Sequence, residues 1–315
     1  MAPSGSTRAV VVALLANLGI AITKFLAWLL TGASSLLAEA VHSVADTSNQ
    51  ALLLIGGRRA TREPTPTHPF GYGRVRYLFA FIVAIILFTL GGLFALYEAW
   101  HKYNEIREGH PNELLESQWW WVPIVVLSAA MIMESYALRT AVKESDKVRG
   151  RANWIQFIRR AKSPELPVIL LEDTGALLGL TFALIGVGLS LITGNAYWDV
   201  AGTAAIGVLL VIIAVVLVIE MSSLLVGEGA SKEIVDKIAH ALTADGQIDG
   251  IIHLRTLYLG PENLLVAAKI AITAAQPGDQ IAAAIDGAEA RVRAAVPEAQ
   301  TIYLEPDLDR SVATA

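Results

Sequence analysis

Apolar positions in this chain gather into long runs instead of alternating with polar ones. The first run extends from about Ala9 to Leu30, with Lys24 as its only charge. A second passes through LLAEAVHSVADTSNQALLLI and ends near Gly57. Others cover about Tyr77 to Trp100, Trp119 to Leu138, Pro167 to Ile192 and Val200 to Val226. Runs near or above about 18 residues read as membrane-crossing helices. The tryptophans at 119–121 suit a membrane–water interface. Between the runs lie polar segments: RRATREPTPTHPFGYGRVR, HKYNEIREGHPNELLESQ, Lys143 to Lys162, and the short TGNAYWD, all read as loops. After Val226 the period changes. SKEIVDKIAHALTADGQ has helical apolar spacing, IDGIIHLRTLYLG and NLLVAAKIAITA read as strands about a Gly260–Pro261 turn, DQIAAAIDGAEARVRAAV is helical, and TIYLEP is a last strand. The chain therefore divides into an all-α six-helix transmembrane domain, residues 1–226, and an α+β domain, residues 227–315.

Composition agrees with a membrane protein. The chain is 54% hydrophobic and 17% charged, where a soluble chain carries about 25% charged residues. A net charge of −5 leaves no basic stripe for nucleic acid. With no cysteine, disulfides, thiolate metal sites and cysteine catalysis are excluded. The opening apolar run has no short h-region followed by a small-residue cleavage site, so it reads as a first membrane helix. Arg58, Arg59, Arg62, Arg74 and Arg76 lie between spans two and three. Arg139, Lys143, Lys147, Arg149, Arg151, Arg159, Arg160 and Lys162 lie around the connection between spans four and five. That bias places these loops and both termini in the cytoplasm. The lack of a basic, serine-rich leader favours a bacterial cell membrane.

The second run carries the chemistry. His42 and Asp46 are four apart, one helical turn on one face. Glu39 and Asn49 extend the same stripe. Imidazole with carboxylate suits zinc, manganese, iron(II) or cobalt. Ionisable groups in hydrocarbon are rare and usually functional, although such a stripe also serves as a hydrogen-bonded seam between helices. His42 and Asp46 are the candidate metal ligands, Asn49 is a third contact, and Glu39 and Gln50 read as structural. The fifth run offers Glu172 and Asp173. Adjacent residues point about 100° apart on a helix, so one fits a ligand role while the other bonds elsewhere. The alternative is a structural pair with basic loop residues. Gly175 and Gly179 provide a small-xxx-small surface. His68 is a further ligand at the cytoplasmic mouth or a solvent-exposed loop residue, and Asp199 reads as a helix cap. His101, His110, His240 and His253 have no matching cluster.

These residues resemble the cation diffusion facilitator family. AEAVHSVADTSNQ is similar to its second-helix metal motif, HPFGYGR to its mouth loop, YWDVAGTAAIGVLLVIIAVVLVIE to its sixth helix, and IIHLRTLYLGPENLLV to its cytoplasmic signature. LLEDTGALLG further resembles the branch containing zinc transporter nine. The resemblance implies a homodimer of six-helix protomers, a ferredoxin-like, metallochaperone-like cytoplasmic domain that dimerises, and export of divalent metal coupled to proton entry. It maps the second-helix ligands to His42 and Asp46 and the fifth-helix aspartate to Asp173. Its other fifth-helix ligand falls on Ile169, so water, Glu172 or Asn49 is left to complete the shell. In the mouth loop His68 matches one ligand, and Tyr72 replaces the second histidine. Ile252, Ala268 and Tyr303 stand where metal-binding members have His, and Glu305 where they have Asp, which argues against a zinc pair there.

The expected function is secondary transport of a divalent cation, with Zn2+ foremost and Mn2+, Fe2+ and Co2+ as alternatives, exchanged for protons at a midplane site. No permanent cofactor and no enzyme activity are expected. Two other readings are a non-transporting membrane scaffold, suggested by Ile169, and an intramembrane aspartyl hydrolase pairing Asp46 with Asp173. The second lacks a Gly-x-Gly-Asp sequence in the fifth span.

Overall fold

A computed structural model of the protein describes residues 4–110, 113–274 and 276–308, with side chains from residue 17 onward. The apolar runs form long helices: α1 Ser4–Thr31, α2 Ser34–Ala60, α3 Val75–Ile86 continuing through a π-helical turn at Leu87–Leu93 into α4 Phe94–Arg107. After a short α5, Glu113–Glu116, come α6 Val122–Arg149, α7 Trp154–Arg160, α8 Glu165–Thr193 and α9 Tyr197–Val226. Among the described residues four helical stretches are long and apolar enough to cross a membrane: Val75–Arg107, Val122–Arg149, Glu165–Thr193 and Tyr197–Val226. The described side chains of α1 give a shorter apolar stretch, Asn17–Thr31. The 27-residue α2 carries Glu39, Asp46, Arg58 and Arg59 along its length, which lowers its hydropathy. These helices mark an integral membrane protein.

Helix limits depart from the apolar runs where polar residues keep helical geometry. The segment after Leu138 is a continuation of α6 as far as Arg149 and not a loop. Ion pairs one turn apart hold it: Lys147 with Glu144, and Arg149 with Asp146 at 2.7 Å. Gly150, at φ 59°, ends the helix in a backbone conformation that side chains other than glycine rarely adopt. Asn153 then starts α7 with a reciprocal capping box to Gln156. α4 likewise runs past Trp100 to Arg107.

Contacts divide the chain into two compact units: Met1–Gly57 with Leu78–Met221, and Arg58–Tyr77 with Ser222–Ala315. In the first, α6 packs along α8 and against α1. Glycines set the closest helix approach. A Cβ at Gly186 would lie 2.9 Å from the Trp198 carbonyl oxygen, and one at Gly202 2.8 Å from that of Phe182. The backbones of α8 and α9 therefore touch.

In the second unit α10 Lys232–Thr243, β1 Gly250–Gly260, β2 Asn263–Ala271, α11 Gly278–Ala295 and β3 Thr301–Asp307 follow one another, close to the pattern read from the sequence. The sheet order is β1-β2-β3. β1 pairs antiparallel with β2, and β2 pairs parallel with β3, which needs the α11 crossover. One sheet face and the apolar sides of α10 and α11 share a core that includes Ile238, Leu242, Tyr258, Leu264, Val266, Ile270, Val292 and Ile302. The Arg58–Tyr77 connection approaches this unit at the β1–β2 turn, where Gly73 meets Leu259 and Gly260.

Candidate metal centre

The polar stripe of α2 is buried except at Asp46, whose side chain is 16% exposed. Glu39 and Asn49 are 0% exposed and His42 1%. Helical geometry puts His42 Nε2 3.5 Å from Asp46 Oδ2. Both ring nitrogens of His42, Oδ1 of Asp46 and Oδ1 of Asn49 are buried and make no hydrogen bond among the described residues. Buried polar groups normally find a partner, which makes these atoms exceptions in this part of the bundle. Behind His42, the π-helical turn widens the third helix: a Cβ at Gly91 would be 3.8 Å from His42 Nδ1. Such turns are rare and frequent at functional sites.

Each neighbour of the stripe has a definite partner. Lys24 Nζ on α1 meets Glu39 Oε2 at 2.9 Å and Ser43 Oγ at 2.8 Å. Gly179 on α8 leaves room for Glu39, whose Oε1 would lie 2.6 Å from a Cβ there. Asn49 Nδ2 donates to Glu172 Oε1, which ties α2 to α8. Asp199 is a cap as expected, but of another helix. Its carboxylate accepts from Ser34 N and Ser34 Oγ, both at 2.9 Å, and from Ser35 Oγ at 2.5 Å, at the start of α2. A carboxylate suits the positive end of a helix.

The candidate residues are brought together unequally. Asn49 of α2 holds Glu172 of α8, with Asp173 half-buried next in sequence, while His42 and Asp46 pair within α2. Asp173 feels the charges of Glu134 and Asp46. Among the described residues no three histidine, aspartate or glutamate side chains converge closely enough to grip an ion. His68 lies in the other unit, exposed, stacked on Tyr72 at 4.6 Å and within 3.1 Å of Thr67 Oγ1. In the sheet, Ala268 is buried, Ile252 and Tyr303 are exposed, and Glu305 pairs with Lys269 at 3.1 Å. His101 and His110 lie against Glu105 and Glu108, and His240 and His253 are exposed.

One residue near this centre has no partner in its own helix to flag it. Glu134, on α6, is the sole charged residue between Val122 and Leu138. It acts electrostatically on Asp46, His42 and Asp173. The signal available in the sequence was its isolation: an acid alone in an apolar span.

The model of the cation efflux transmembrane domain matches residues 10–226. The mitochondrial proton-coupled zinc antiporter SLC30A9 of Mus musculus is 31% identical over 259 residues, 81% of this chain and 44% of that protein. Metal tolerance protein C4 of Arabidopsis thaliana is 27% identical over 267 residues, 84% of this chain and 57% of that protein. Magnetosome protein MamM of Paramagnetospirillum magneticum is 21% identical over 137 residues, 44% of this chain and 42% of that one. The chain spans about half the length of the curated relatives it matches, with 44% of the mouse protein covered. A domain match along every membrane helix, and a relative above 30% identity over most of the chain, place this protein in the cation efflux family, the cation diffusion facilitators, whose members are transporters and not enzymes.

Proposed function

We propose that this protein is a secondary transporter that exports a divalent metal cation, foremost Zn2+, from the cytoplasm in exchange for protons. The observation that carries the reading is buried His42 beside part-buried Asp46, with unmatched polar atoms, on a membrane helix bonded to acidic α8. The relatives' printed names, a proton-coupled zinc antiporter and a metal tolerance protein, support the substrate class and the exchange.

In this reading residues 1–226 form a six-span transport domain. α2, at 27 residues, is long enough for a hydrocarbon core of about 30 Å, and α1 supplies the remaining span. The loops rich in Arg and Lys, and both termini, face the cytoplasm. Residues 227–315 form a cytoplasmic domain of metallochaperone-like, ferredoxin-like type. Its helix–strand–strand–helix–strand order and mixed sheet support that. The working unit is a homodimer.

His42, Asp46 and Asp173 bind the transported ion. Asn49 holds Glu172 at the edge of the site, and His68 stands on the approach from the cytoplasm. A metal ligand must be deprotonated, so cation entry releases protons from His42 and the carboxylates. Protonation on the other side expels the ion and resets the site. In proteoliposomes with an imposed pH gradient, zinc should accumulate against its own gradient. Asp46→Ala should abolish zinc flux while the protein stays monodisperse in detergent. Undiminished flux in that variant sinks the assignment.

A further inference from the structure

The centre on α2 and α8 is short of one ligand, and position 169 does not supply it. Ile169 packs into an apolar cluster with Ala141, Phe157 and Leu170. Glu172 is engaged by Asn49. The side chain that faces the open part of the centre comes from a different helix. Glu134 of α6 lines a narrow crevice with Asn17 and Ile20 of α1 and Ser43 and Asp46 of α2. Its volume is about 10 Å3, about the space for one water-sized species. α6 packs along α8, and among charged groups Glu134 acts most strongly on Asp173, ahead of Asp46. It thus shares the crevice with the α2 carboxylate and acts electrostatically on that of α8.

Two further observations point to a cation here. His42, 1% exposed, has both ring nitrogens unmatched, with Nε2 turned toward Asp46. The local charge is also out of balance. Asp46, Glu134, Glu172 and Asp173 act on one another, while the nearby Lys24 is already held by Glu39 and Ser43. Several carboxylates in hydrocarbon with no free counter-charge are costly unless a cation offsets them.

We propose that Glu134 of α6 is a direct ligand of the transported cation, supplying the carboxylate that position 169 lacks. The site is then built from three helices, one imidazole and three carboxylates: His42, Asp46, Glu134 and Asp173. That oxygen-rich set suits borderline and hard divalent ions and disfavours soft ones. It also gives α6 a share in the ion, so binding draws α6 toward α2. The assignment rests on the transport reading above.

The absence of cysteine makes a direct test available. Purified protein is titrated with Co2+, and Glu134→Gln and Glu134→Cys are compared with the native chain and with Asp46→Ala. The native chain should bind cobalt, and Asp46→Ala should lose it. Glu134→Gln should bind at least tenfold more weakly, with an unchanged elution profile. Glu134→Cys should bring a thiolate-to-cobalt charge-transfer band that no other side chain of this protein supplies. A Glu134→Gln protein that binds like the native chain overturns the assignment, and so does a Glu134→Cys protein that holds cobalt without that band. If Asp46→Ala also binds like the native chain, the transport-site reading falls with it. If Asp46→Ala alone loses cobalt, only the role of Glu134 falls.

Discussion

Lys24 is 1% exposed and Glu39 0%, and their 2.9 Å contact crosses from α1 to α2 inside an apolar bundle. Neither charge is tolerable there alone. Removing one partner of a buried pair costs about 3–5 kcal/mol, whereas replacing both by well-packed neutral groups is often near neutral. Lys24→Ala should therefore lower the unfolding midpoint in detergent sharply, and Lys24→Met with Glu39→Gln should recover most of the loss. Additive losses in that cycle, measured by thermal unfolding, would deny that the two residues act as a pair. A second buried group titrates outside the bundle. Tyr258 is 3% exposed, and burial, with the charge of nearby Glu298, pushes its phenol up to about 12. Its ordinary value is about 10. The folded chain thus keeps this proton longer than the unfolded one, so its contribution is full below pH of about 10 and is lost as pH rises toward the folded value. Tyr258→Phe should flatten that alkaline decline, which denaturant unfolding across a pH series reads directly.

At the scale of elements, helix contacts are governed by what is missing from the side chains. The α8–α9 crossing at Gly186 and Gly202 leaves no room for a Cβ against the facing carbonyls. Overpacking costs about 1–3 kcal/mol; Gly202→Val should lower stability by about that, as read by unfolding in mixed detergent. Much at this scale was legible from the apolar pattern. The six long helical stretches, α10, α11 and all three strands stand close to where periodicity put them, because a buried face requires a matching repeat, whereas short α5 and α7 lie in segments read as loops. The far end of α6 was not legible, since Lys143 to Arg149 has Val148 as its one apolar residue and is braced by neighbouring ion pairs. The centre shows the same divide. His42 and Asp46 announce themselves by spacing within one helix. The Asn49–Glu172 bond and the Lys24–Glu39 pair join residues 123 and 15 apart, and no local pattern encodes them. Asp199 was recognisable as a cap, but the helix it caps begins 165 residues earlier.

At the scale of the whole molecule, one metal centre is the economical reading. In the sheet, Glu305 is tied to Lys269, and Ala268 offers no ligand atom. The intact protein should therefore carry a single zinc per chain by elemental analysis, and Asp46→Ala should carry none. Zinc retained in that variant would place a second centre elsewhere in the chain.

The Asp199 carboxylate anchors the first residues of α2 through Ser34 and Ser35, and this makes the start of that helix a fixed pivot. Asp46 lies 12 residues further along, about 18 Å down the axis at 1.5 Å per residue. On such a lever, a tilt of about 10° sweeps the Asp46 carboxylate sideways by about 3 Å. That is as long as a metal–ligand bond and more. In the transport reading proposed above, a small swing of α2 about its anchored end, with the Asn49–Glu172 bond yielding, would be enough to alternate access to the ion.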